Sequence, residues 1–198
     1  YTVTPAQPIT DGTFTMPAED VTVGATWTID PAHFSVNGAG TEYTIHTATG
    51  WSVFCDLLAD GTSFSGKTVY LDKDITVTRM AGSSGHDFCG TFDGGGHTLT
   101  VDYITSEQYA APFRNAQSGC VIENLHVVGT IATSSQNAAG IISNQFGSVT
   151  IRNCRSSVTI ESSVGGDGTH GGIVAVKGNS DAAKLTNRRS EERFSRNA

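Results

Sequence analysis

The chain has 198 residues, with 12 basic and 19 acidic side chains and a formal charge of −7 with neutral histidine. Only 16% of residues are charged, and Gly, Thr and Ser together supply about a third of the chain, which disfavours helices and excludes a helical bundle. No apolar run approaches the ~18 residues of a membrane helix, and the acidic balance argues against nucleic-acid binding. Enough Val, Ile, Leu and Phe remain to bury a core, so disorder is not expected.

The chain opens on Tyr1-Thr-Val-Thr4, strand-like sequence with neither an initiator Met nor a signal peptide. Thr13-Phe-Thr15 and Val21-Thr-Val-Gly-Ala-Thr-Trp27 alternate with period two and predict strands exposed on one face. Asp11-Gly12 marks a turn, and Met16-Pro-Ala-Glu-Asp20 a loop. The run Asp11-Gly-Thr-Phe-Thr-Met-Pro-Ala-Glu-Asp-Val-Thr-Val23 resembles the closing strands of the internalin B-repeat-like modules found in tandem on bacterial surface proteins. Residues 1–30 are therefore expected to be the end of such a module, loosely held because so short a piece buries no core alone.

Residues 31–49 read as a linker and first strand. Asn37-Gly-Ala-Gly40 is a linker or hairpin turn, and Glu42-Tyr-Thr-Ile-His-Thr47 a strand. The helix signal lies at 50–60, where Trp51, Phe54, Leu57 and Leu58 fall on one stripe. Thr49 is placed to cap its start and Gly61 to end it in a left-handed conformation.

From Lys67 onward the pattern becomes short strands and turns. Thr68-Val-Tyr-Leu71 and Ile75-Thr-Val-Thr78 precede the Gly/Ser loop 81–86, and Asp93-Gly-Gly-Gly96 has turn chemistry. The decisive signal is an internal repeat. Ile122-Glu-Asn124-Leu125 aligns with Ile151-Arg-Asn153-Cys154, and Thr130-Ile131 with Thr159-Ile160, each at an offset of 29 residues. Ala111-Pro-Phe113 and Gly140-Ile-Ile142 share that offset; Gly172-Ile-Val174 follows after 32, and Leu185-Thr-Asn187 begins a third unit. Repeats of this length with insertions in turns predict an all-β solenoid of stacked coils, apolar residues inward and Asn124 and Asn153 stacked as a ladder at a bend. Helix 50–60 is expected to cover the first coil, where an open sheet edge would otherwise invite association.

The segments Gly90-Thr-Phe-Asp-Gly-Gly-Gly-His-Thr-Leu99, Ile122-Glu-Asn-Leu, Ile151-Arg-Asn-Cys and His170-Gly-Gly-Ile-Val174 resemble GLUG-type repeats in right-handed parallel β-helix domains of gut-bacterial surface proteins. The resemblance runs from about Tyr43 to Asn187 and implies wall attachment elsewhere in a longer protein. It defines a capped β-helix over 50–187. The remaining 188–198 is expected to be a disordered or non-native tail, since Arg189-Ser-Glu-Glu-Arg-Phe-Ser-Arg-Asn-Ala198 reads like the in-frame translation of a common sequencing adapter.

His86, Asp87, Asp93 and His97 form the one candidate acid/base cluster. A polysaccharide hydrolase or lyase needs two carboxylates about 5–10 Å apart around a glycosidic bond, but turn chemistry is the favoured account of these four. Glu123 and Arg152 occupy equivalent repeat positions, so no carboxylate column is expected there. Cys55, Cys89, Cys120 and Cys154 include no C-x-x-C pair, which argues against zinc. Cys154 aligns with Leu125 and is expected as a buried small hydrophobe, with disulfides left open for a secreted chain. Asp167 alone is too few oxygens for calcium. Tyr103, Tyr109 and Phe113 either stack on sugars or fill the core. No catalytic residue, cofactor or metal site is expected.

The function expected is that of a secreted, cell-surface stalk or adhesin-like scaffold. Its partners are expected to be host or dietary glycans or surface proteins, with no nucleic acid and no membrane insertion. The rival is a carbohydrate-active enzyme on the same scaffold, a polysaccharide lyase or glycoside hydrolase whose groove lies partly outside the chain. A third option is a passenger-type stalk beside a protease domain.

Overall fold

The computed structural model describes residues 2–4, 22–24, 28–165, 168–177 and 185–188. Near the N-terminus, β1 (Thr2–Thr4) pairs antiparallel with β2 (Thr22–Gly24), so β2 falls inside the expected strand at 21–27. The expected strand at Thr13–Thr15 lies outside the described residues.

The hairpin of β3 (Phe34–Val36) and β4 (Glu42–Ile45) is closed by Asn37, whose Oδ1 accepts from the backbone N–H groups of Thr41 and Glu42. Helix α1 (Ala48–Ala59) follows. Its cap is Thr47 rather than Thr49: Thr47 is extended, and its hydroxyl accepts from the Gly50 N–H at 3.2 Å. At the other end Gly61 is left-handed, φ 94°, as the stop signal requires.

The described residues after α1 wind into a parallel β-solenoid of about five turns. The strands are β5 (Thr68–Leu71), β6 (Ile75–Val77), β7 (Thr91–Asp93), β8 (Thr98–Thr105) and β9 (Phe113–Ala116). Then come β10 (Val121–Glu123), β11 (His126–Thr133), β12 (Asn137–Ala139) and β13 (Ile142–Gln145). The last are β14 (Val149–Arg152), β15 (Arg155–Ser162), β16 (Thr169–Gly171), β17 (Val174–Lys177) and β18 (Leu185–Arg188). Strands from successive coils stack into three main sheets: β3-β4-β5-β7-β10-β14-β18, β6-β8-β11-β15 and β9-β13-β17.

The 29-residue offset is the coil length. Ile122 pairs with Ile151, Thr130 with Thr159 and Phe113 with Ile142, while Ile142 meets Val174 after 32 residues. Ile122 and Ile151 are fully buried and share a column with Val69 and Phe92. β18 continues the first sheet in a different register from the Ile-x-Asn alignment: Leu185 stands opposite Val149, and Asn187 opposite Ile151.

The bend between the first two sheets is built from asparagine. Asn124 and Asn153 both hold φ 52°, a left-handed conformation that asparagine tolerates better than most residues. Asn153 donates to Asn124 Oδ1 at 2.7 Å, and Asn124 donates to Asp93 Oδ1 at 2.9 Å, the expected ladder with Asp93 as its first rung. Asn124→Ala is expected to cost about 2 kcal/mol, roughly half from the backbone and half from lost hydrogen bonds. Asn124→Gly recovers the backbone share only, and chemical denaturation of the two variants separates the contributions.

A second ladder lies inside. Asn115 and Asn144 are 3% exposed, and Asn144 donates to Asn115 Oδ1 at 3.4 Å while Asn115 donates to the Ser83 carbonyl at 3.0 Å. This pair also repeats at 29 residues, a sign that the hydrophobic pattern hides.

Candidate functional site

The four candidate acid/base residues separate into two pairs at opposite ends of β7. His86 and Asp87 precede the corner that leads into β7: Phe88 bridges Ala116 of the third sheet, and the buried Asp87 carboxylate accepts from Gln117 Nε2 at 2.6 Å. Asp93 ends β7, where its Oδ1 accepts from the Gly95 N–H and from Asn124. His97 donates from Nδ1 to Asp74 at 3.3 Å. Among the described residues no hydrogen bond or ion pair joins the first pair to the second.

The fold instead gathers charges from neighbouring coils along the asparagine bend. Asp93, Glu123 and Arg152 are register partners on adjacent strands, and Glu123 and Arg152 form an ion pair. A carboxylate therefore does follow Asp93, because the register extends the column back to β7 where the two-unit alignment stopped. Beside it, the Thr98 N–H donates to Asp74 at 2.8 Å, and this bond above all, helped by His97, holds the Asp74 carboxyl below its usual range. His126 Nδ1 accepts from Arg155 at 3.1 Å; burial, then the Arg155 charge, pushes its pKa down. The charged side chains of this bend are largely paired with one another.

The cysteines are free thiols. Burial raises Cys55 to about 12 and Cys154 to about 11, and also lifts Cys120, so these three are poor nucleophiles at neutral pH. Cys154 and Leu125 both pack in the core, as their alignment implies. Tyr103 and Phe113 are buried, whereas Tyr109 is half-buried with φ 68°. The Tyr103 hydroxyl donates to the Arg79 carbonyl, which also accepts from Trp51 Nε1. Asp167 lies outside the described residues.

The concave feature is elsewhere, at the far end of the second sheet. An open trough of about 650 Å³ crosses β8, β11 and β15. Its lip is the outward column Ile104, Ala132 and Glu161; behind it runs the column Thr105, Thr133 and Ser162. Ile104 is 91% exposed. A second cleft of about 410 Å³ shares Ile104 and Thr105 and continues past Arg79, Met80 and Tyr103 toward α1.

One turn type repeats behind the lip. The Thr105 hydroxyl accepts from the Glu107 N–H at 3.0 Å, Thr133 from Ser135 at 2.9 Å, and Ser162 from Val164 at 3.2 Å. These i to i+2 bonds turn the chain out of the sheet on three successive coils. Their sequence trace is Thr105-Ser, Thr133-Ser and Ser162-Ser, spaced 28 and 29 residues apart. It is easily lost in a chain so rich in hydroxyls.

Compared with known protein families, curated proteins and solved structures, the chain finds no match.

Proposed function

We propose that the chain belongs to a secreted bacterial cell-surface protein, in which the solenoid is a stalk or adhesin-like scaffold akin to GLUG-type β-helix domains and carries no catalytic centre of its own. The carrying observation is the trough: its walls are hydroxyl and aliphatic groups from three coils, with Glu161 as the one carboxylate among the described residues that line it. Glycosidic cleavage requires two. The adjoining outer face is largely polar, with columns Thr76, Thr100, Val128 and Ser157, and Asp102, Thr130 and Thr159. Expected partners are host or dietary glycans or surface proteins. Incubation with a panel of plant, microbial and host polysaccharides should release no new reducing ends and no unsaturated uronates. Sustained turnover sinks the scaffold reading.

A second reading has one observation in its favour, the adjacency of Asp93 and Glu123 on strands about 4.8 Å apart. That pair suits a carbohydrate-active enzyme, and with it Asp93→Asn would abolish any turnover found. The engagement of Asp93 by the bend and of Glu123 by Arg152 weighs against it.

A further inference from the structure

We infer that, within the scaffold role proposed above, the trough beside the second sheet binds an uncharged, unbranched, β-linked glycan lying along the solenoid axis. The first support is hydrogen-bond accounting. In each repeated turn the Thr105, Thr133 and Ser162 oxygens already accept a backbone N–H. Among the described residues none of these hydroxyl protons is given to a protein acceptor; Thr133 is buried at 5% exposure, so the accessible donors are Thr105 and Ser162, two coils or about 9.6 Å apart. A ligand that fills the row must offer oxygen acceptors repeating at nearly that rise, as the ring and hydroxyl oxygens of an extended β-linked glycan do.

The second support is the lip. Ile104, fully outward at 91% exposure, and Ala132 form an aliphatic strip parallel to the donor row. A pyranose ring has an apolar C–H face and a polar edge, and the strip and the row match them in turn. The third support is charge. Arg79 is bound to Asp56 at 2.7 Å and Arg114 to Glu107 at 2.5 Å. Among the described residues lining the two clefts, Glu161 is then the charge without an opposite partner. A polyanion finds no free cation here. The shared residues Ile104 and Thr105 make the path continuous from the coil beside α1 to the coil of β15, so a longer chain makes more contacts.

The test is calorimetric titration of the full chain with neutral β-linked gluco-, xylo- and manno-oligosaccharides from disaccharide to hexasaccharide, beside uronate-containing chains of equal length. Affinity for at least one neutral series should rise by about tenfold or more with length, since each added sugar contributes further hydrogen bonds. Ala132→Arg, in the middle of the trough, should weaken hexasaccharide binding by about tenfold, and Thr76→Arg, on the same sheet at its far edge, should leave it within about twofold. If Ala132→Arg does not fold by circular dichroism, Ile104→Lys at the exposed lip makes the same block. Absence of binding by every neutral series, affinity independent of length, preference for uronates, or equal losses in the trough and edge variants each overturn the inference. The scaffold reading fails differently, by turnover of the glycan.

Discussion

Gly129→Ala should be among the most damaging single substitutions in the chain, removing roughly 4 kcal/mol and lowering the melting temperature by roughly 10 °C. Gly129 lies within β11 at φ 109°, a conformation that side chains rarely adopt. A Cβ there would fall 2.0 Å from the carbonyl oxygen of Val101 on the neighbouring coil. Both obstacles are backbone, and Val101 is held in register with Gly129 by a parallel ladder eight residues long, so neither yields without separating the coils. Thr130→Ala, one residue along, should cost no more than about 0.5 kcal/mol. Urea denaturation followed by circular dichroism compares the two. An alanine variant as stable as the parent would mean that β8 and β11 are not packed as described.

Phe54→Ala should cost about 4 kcal/mol and make the protein self-associate. Phe54 is fully buried, and its ring centroid lies 5.4 Å from Trp51, 5.2 Å from Phe64, 5.7 Å from Phe88 and 6.1 Å from Phe92. Trp51 anchors the same helix face through its bond to the Arg79 carbonyl, 2.7 Å. These rings plug the first coils, so deletion of the central one leaves a cavity and loosens the lid over an apolar column and a sheet edge. Leu57→Ala, half-buried on the same helix, should cost roughly 1 kcal/mol. Thermal melts with size-exclusion chromatography distinguish the two. Equal losses would show that α1 is an appendage and not a plug.

The solenoid was legible because its signal is redundant. Ile122 with Ile151, Asn124 with Asn153 and Phe113 with Ile142 all state the same coil length, and stacking in register is the arrangement that brings each residue against its counterpart one coil on. The helix was legible from its stripe, but its start was not. Thr47 and Thr49 are both capping residues, and tertiary context chose between them: Thr47 also meets His33 Nδ1 at 3.0 Å on the adjacent hairpin. The relation of Asp93 to Glu123 was hidden because Asp93-Gly-Gly-Gly-His97 carries two more residues than the bend at Asn124, which breaks the alignment while β7 and β10 stay in register. The trough was not readable at all. It exists because three hydroxyl turns stack, and single Thr-Ser steps mean little until their vertical alignment is known.

The two ends of the stack are finished differently. One is sealed by α1, whereas at the other Val158, Ile160 and Val174 pack against the core yet are only half-buried. Since each winding is supported chiefly by its neighbours, resistance to mechanical load has a direction. Among the described coils, tension should find its first give at β15 and β17 and travel toward the aromatic plug, one layer at a time, like a zipper opening in one direction.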